Sequence, residues 1–222
     1  MKKVVYIIYL FLLMGTLTVQ GQVFRLNPCI ELVDFIIKYD NLLEKALTDN
    51  FTEDYIIRYI VEPSFDSEYL FQIRETDNSY YEIEAVVFQE NLWEQEVDFI
   101  LDSFKIDVHK KDIDKTLAVK LDNLFSIFTS SINETYIVEG LDGITYRFKR
   151  KTKDEIICGE AWSPNEDSPL GKLVSICDDL TKYAEGKYIN LTQLEERINE
   201  LYDIMACVQT EETPYNSINY FE

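Results

Sequence analysis

A run of five basic residues, Arg147, Lys149, Arg150, Lys151 and Lys153, stands out in a strongly acidic chain. Side chains alternate along an extended strand, so Arg147, Lys149, Lys151 and Lys153 fall on one face as a basic stripe, with Tyr146 next to it in sequence. Two uses suit such a stripe. It receives acids from elsewhere in the same molecule, or it binds an external carboxylate, phosphate or polysaccharide anion.

The residue types of catalysis are sparse by comparison. His109 is the sole histidine, in Asp107-Val108-His109-Lys110, a run of alternating charge that reads as a solvated loop rather than the buried setting a general base needs. Neither Ser64 nor Ser163 stands in a Gly-x-Ser-x-Gly elbow, and both read as turn formers. Glu94 with Glu96, Asp178 with Asp179, and Glu195 with Glu196 have the composition of a glycosidase pair. That chemistry is defined by a separation in space, and on sequence alone each pair reads as a solvated face. No two cysteines follow C-x₂₋₄-C and no stretch has the oxygen-ligand spacing of a calcium loop. No catalytic residue, cofactor or metal is assigned.

Residues 1–21 have the layout of a secretory signal peptide: Lys2 and Lys3, an apolar run from Val4 to Leu17, then Val19-Gln20-Gly21 before Gln22. The apolar run falls short of the roughly 20 residues that span a bilayer, so a cleaved leader, a secreted or periplasmic location and no integral membrane segment after cleavage are expected. Four cysteines, Cys29, Cys158, Cys177 and Cys207, remain in the mature part, where an even count suggests disulfides. Four cysteines allow three connectivities. The expected pairs are Cys158 with Cys177, pinning a helix to the strand before it, and Cys29 with Cys207, tying the two ends.

The formal charge is −20, and the leader carries two lysines and no acid, so cleavage deepens it. A field of that sign repels nucleic acid and favours either plain solubility or a basic partner. Hydrophobic residues at 46% and aromatics at 14% are ample for a packed core.

The elements that must position the stripe follow from periodicity. Asn27-Pro28 predicts a helix start, with apolar spacing carrying the helix to about Thr48. Three strands are expected over Tyr55–Val61, Tyr69–Arg74 and from Tyr81, and residues 91–104 fit neither period. A helix over Asp112–Ile132, capped by Asp112 or Asp114, buries Leu117, Leu121, Leu124, Phe125 and Phe128. A second meander is expected over Tyr136–Val138, Ile144–Phe148 and Glu155–Trp162, with Asp142-Gly143 supplying positive φ in a hairpin turn. Ser168-Pro169 opens a helix ending at Gly186, and Thr192 with Glu195 forms a capping box for a last helix.

The fold class is α+β: two antiparallel three-stranded meanders, separate or as one continuous sheet, packed on amphipathic helices with two helices at the C-terminus. Residues 22–209 form one domain, with 22–104 and 105–209 as candidate lobes, and 210–222 a tail. The function that fits is an exported binding protein, of the inhibitor or immunity type, covering a basic protein. A carboxylate-dependent hydrolase and a structural envelope-associated protein are the alternatives. Tyr69, Tyr80, Tyr81 and Tyr146 are the aromatic candidates for partner contact.

Overall fold

Alternating apolar residues in short runs pair into one antiparallel sheet in the computed structural model, which describes residues 25–29, 34–76, 80–92, 104–133 and 142–211. Its strands are β1 (Asn27–Pro28), β2 (Ile57–Pro63), β3 (Tyr69–Glu75), β4 (Tyr81–Phe88), β5 (Ile106–Ile113), β6 (Ile144–Lys151) and β7 (Ile156–Trp162). They lie in the order β1-β7-β6-β2-β3-β4-β5. The two expected meanders are joined because β2 pairs with β6, from Ile57 opposite Arg150 to Pro63 opposite Ile144. The helices are α1 (Asp34–Thr48), α2 (Lys115–Thr129), α3 (Pro169–Ala184) and α4 (Leu191–Glu211).

The pleat sorts side chains onto two unlike faces. One face carries Ile57, Tyr59, Val61, Phe71, Ile73, Ile83 and Phe148, and buries them with apolar residues of α2, α3 and α4 in a single core. The opposite face is apolar only in its middle, where Ile60, Leu70 and Val86 pack against Tyr39, Leu42, Leu43 and Leu47 of α1. Burial on both sides explains why β2 reads as an almost unbroken hydrophobic run.

Several local expectations are corrected. Asn27-Pro28 does not cap a helix: it is a two-residue strand on the edge of β7, and the Asn27 side chain accepts a hydrogen bond from Asn133 Nδ2 at 3.0 Å. His109 lies in edge strand β5, opposite Ala85 of β4, and not in a loop. Gly143 does not take positive φ; among the described glycines Gly186, at +83°, does. Close packing is what excludes a side chain at Gly143, since a Cβ there would fall 2.6 Å from Trp162 Nε1. Asp114 caps α2, Ser168 caps α3, and Asn190 Oδ1, rather than Thr192, accepts the first amides of α4.

Neither expected disulfide forms. Cys29 is bonded to Cys158 across the β1–β7 edge, with Cα atoms 5.7 Å apart. Cys158 lies opposite Lys149, on the face away from α3, whereas Cys177 is buried within α3 on the other side of the sheet. The sheet itself therefore separates Cys158 from Cys177. Cys207 sits on the exposed side of α4. The expected signal peptide and the expected Tyr136–Val138 strand lie outside the described residues; of the expected tail 210–222, residues 210 and 211 belong to α4 and the rest lie outside them.

Candidate functional site

Alternation on β6 does place Arg147, Lys149 and Lys151 on one face, and that face meets acids of the same chain. Arg147 Nη1 lies 3.2 Å from Glu62 Oε1 on β2 and its Nε 3.4 Å from Glu160 Oε2 on β7. Lys149 Nζ donates to Glu44 Oε1 of α1 at 2.6 Å. Lys151 Nζ is 3.5 Å from Asp54 and donates to the Glu53 carbonyl at 3.2 Å. Lys153, past the end of β6, is exposed. Arg150 points to the opposite face, where Nε and Nη2 make a two-pronged contact with Asp122 of α2 at 2.7 and 3.2 Å. Its guanidinium is raised by that bond despite partial burial.

The stripe is one end of a polar row that crosses five strands. Lys149, Arg58, Gln72, Glu84 and Lys110 stand opposite one another on β6, β2, β3, β4 and β5. Arg58, 4% exposed, donates to Glu44 and, through Nη2, to Gln72 Oε1 at 2.8 Å, and its guanidinium lies 4.1 Å from the centre of the Tyr55 ring. Burial pulls the guanidinium down to about 10, which leaves it cationic at neutral pH. Gln72 Nε2 donates to Glu84 Oε2 at 2.8 Å, and Glu84 Oε1 accepts from Arg74 Nε at 2.7 Å. Removing one of the row's buried members, Arg58, Gln72 or Glu84, is costly, because the buried partners left behind lose a counter-charge or a hydrogen bond. An external anion would have to displace Glu44, Glu62 or Glu160 to reach Arg147 or Lys149.

A second polar centre lies on the main core face, where the acid pair Asp178 and Asp179 separates. Asp178 Oδ1 accepts from Tyr69 at 2.7 Å and from Tyr59 at 2.9 Å. Tyr146, buried on the face opposite the stripe, stacks on Tyr59 with ring centres 6.2 Å apart. Burial raises the Asp178 carboxyl above its ordinary value although both phenol bonds oppose the rise. The Tyr69 phenol is raised strongly by burial and the Asp178 charge, and Tyr146 is pushed up to about 12 for the same two reasons. Asp179 turns to Arg197 Nη1, at 2.5 Å, and Lys182, at 3.2 Å. Burial pushes its carboxyl up, but these donors outweigh it and hold it below its usual range.

Other sequence candidates take structural positions. Ser64 Oγ donates to the Gly143 carbonyl at 2.9 Å and Ser163 Oγ accepts from the Ile144 amide at 2.9 Å, so both hydroxyls fasten the chain entering β6. Tyr81 is buried, Tyr69 is half-buried, and Tyr80 is 68% exposed. Glu195 pairs with Lys120 at 2.7 Å. Glu94 and Glu96 lie outside the described residues. Sequence reasoning passed over Glu44, Glu62, Glu84 and Glu160. The signal for Glu62, Glu84 and Glu160 was acid placed among apolar residues in a strand, and for Glu44 acid beside the apolar Leu42, Leu43, Ala46 and Leu47 of a helix. Asp178 had a similar one, at helical spacing from Val174 and Thr181 on a buried face. No group of metal-ligating side chains occurs among the described residues. No protein-family model matches the chain, and no curated protein matches it in sequence.

Proposed function

We propose that this chain is an exported binding protein whose acidic surface covers a basic partner, in the manner of an inhibitor or immunity protein. The observation that carries the reading is where the charges go. The cations of the β6 stripe are turned to Glu44, Glu62, Glu160 and Asp54 of the same chain, while exposed positions keep a marked excess of acids. Glu196, Glu200 and Asp203 continue that excess along the outer side of α4. Complementary fields speed encounter with a cationic surface and discriminate against anionic ones. The Cys29–Cys158 bond supports an oxidising compartment, in keeping with the leader layout of residues 1–21. Among the described residues no helix is long and apolar enough to cross a membrane.

The test is capture on immobilised mature protein from secreted and envelope fractions at low and high salt. A basic protein retained at low salt and released at high salt is expected, with weaker retention by a Glu196→Lys, Glu200→Lys, Asp203→Lys variant. Identical recovery at both salts, or by the variant, refutes the reading.

A second reading, a carboxylate-dependent hydrolase, is favoured by one observation: the raised Asp178 carboxyl held by two phenols. It requires turnover of some glycoside or ester substrate that Asp178→Asn abolishes while folding is retained. Turnover unaffected by Asp178→Asn sinks it.

A further inference from the structure

We propose that β5 is the docking edge for a second copy of this chain, the two strands pairing antiparallel about a two-fold axis at His109 so that one sheet runs through both molecules. β5 ends the strand order, with β4 on its inner side. The Gln89 amide donates to the Lys105 carbonyl, so odd-numbered residues of β5 bond inward, whereas the Phe88 amide donates to Glu68 and thus away from β5. Alternation then turns the backbone groups of Ile106, Val108, Lys110 and Asp112 outward. Among the described residues these outward groups take one partner, the Tyr183 hydroxyl, which donates to the Asp112 carbonyl at 3.2 Å.

The charges on this edge fit a second copy of themselves. In a strongly acidic chain β5 is locally balanced, with Asp107 and Asp112 against Lys110 and Lys111. The register that centres on His109 bonds Val108 to the second copy's Lys110 and sets Asp107 opposite the second copy's Lys111, each pairing occurring twice. Asp107 is exposed, and Lys111, stacked 3.7 Å from the centre of the Tyr183 ring, keeps donors to spare. Val108, 42% exposed, comes to lie against the Lys110 stem.

Other registers are penalised. Sliding by two residues, the smallest step that keeps outward groups bonded to outward groups, sets Lys110 opposite its own copy in one direction and Lys111 opposite Lys105 in the other. The charges that guard this edge against unmatched strands therefore admit its own. One strand pair buries less area than a standard interface, so the association is weak and is read at high protein concentration.

Sedimentation equilibrium on the mature full chain, from about 10 μM to about 1 mM, should show the mass rising toward two copies. Asp107→Lys and Lys111→Asp should each raise the dissociation constant about tenfold or more, since each turns two attractions into two repulsions. Mixed one to one, these variants should regain the parent's affinity, because the unlike copies restore both pairings. In a Cys207→Ser background, His109→Cys should give a covalent dimer with oxidised glutathione, its Cα atoms lying about 4.5 Å apart at the axis, and Val108→Cys, two residues out of line with its own copy, should not. A parent that stays monomeric throughout, variants that associate as the parent does, or a mixture that binds no more tightly than either variant alone refutes the interface. A missing His109→Cys cross-link, or an equal one from Val108→Cys, refutes the register.

Discussion

Replacing Tyr39 with phenylalanine should destabilise the protein more at pH 8 than at pH 4, because of the carboxylate it donates to. Glu68, at the foot of β3, is fully buried. Its Oε1 accepts the Tyr39 hydroxyl at 2.7 Å, and the Leu92 amide reaches its two oxygens at 3.2 and 3.0 Å. Among the described residues no basic side chain pairs with it. Burial outweighs these bonds and holds the carboxyl above its ordinary 4.5. The folded state thus binds this proton more tightly than the unfolded chain. Its favourable contribution is fully present below the unfolded value and is lost as pH climbs through the folded one.

Tyr39→Phe keeps the ring in place and removes one donor. A hydrogen bond to an ionised group contributes about 1.5–3 kcal/mol and one between neutral groups about 0.5–1.5 kcal/mol. The loss should therefore grow by about 1 kcal/mol between acid and alkaline ends, as Glu68 ionises. Urea denaturation in steps from pH 4 to pH 8, at constant m, measures it directly. In a Glu68→Gln background the same substitution should lose its pH slope, which isolates the pair. A loss of equal size at both ends, or one larger in acid, would overturn the account, since it would mean that Glu68 is not charged in the folded protein.

Three further outcomes are expected. Asp178→Asn should be more stable than the parent near pH 8, because the folded carboxyl titrates above its ordinary 3.8, and thermal melts should show the gain vanishing as pH falls toward that value. A deficit at every pH would contradict it. Gly171→Ala should lower stability by about 1–3 kcal/mol or more in urea titration, since its Cβ would press on the Asn165 backbone carbonyl, which has no rotamer to escape to; a neutral outcome shows the α3 entry to be looser than described. Cys177 should resist iodoacetamide at pH 8 until the protein unfolds, because burial and the neighbouring Asp178 charge push its thiol up; rapid alkylation in the native state, read by mass spectrometry, would refute this.

Periodicity carries sequence information where one neighbour decides an element, and it fails where pairing decides. α2 and α3 were legible because each shows a core to one side and so repeats at 3.6 residues, and β3 and β4 because the apolar set on their main core face, Tyr69, Phe71 and Ile73 with Tyr81, Ile83 and Ala85, repeats at two. β5 was not: it is an outer strand whose apolar residues are Ile106 and Ile113 at its ends and an exposed Val108, and the charges among them are how an exposed edge is guarded. The disulfide failed for a related reason, since only the β1–β7 register, which no local pattern encodes, brings Cys29 beside Cys158.

The polar row is the deeper case. Glu62, Glu84 and Glu160 are indistinguishable in composition from solvated acids, and what buries them is their place beside Arg147, Arg58, Gln72 and Arg74 on adjacent strands. That arrangement also bears on function. Among the described residues the bases Arg58, Arg147 and Lys149 are turned to acids of the same chain while exposed acids outnumber exposed bases, so the field at the surface follows from how the core was paired. Screening makes that consequence measurable, because association governed by such a field slows as ionic strength rises, whereas association through apolar contact does not.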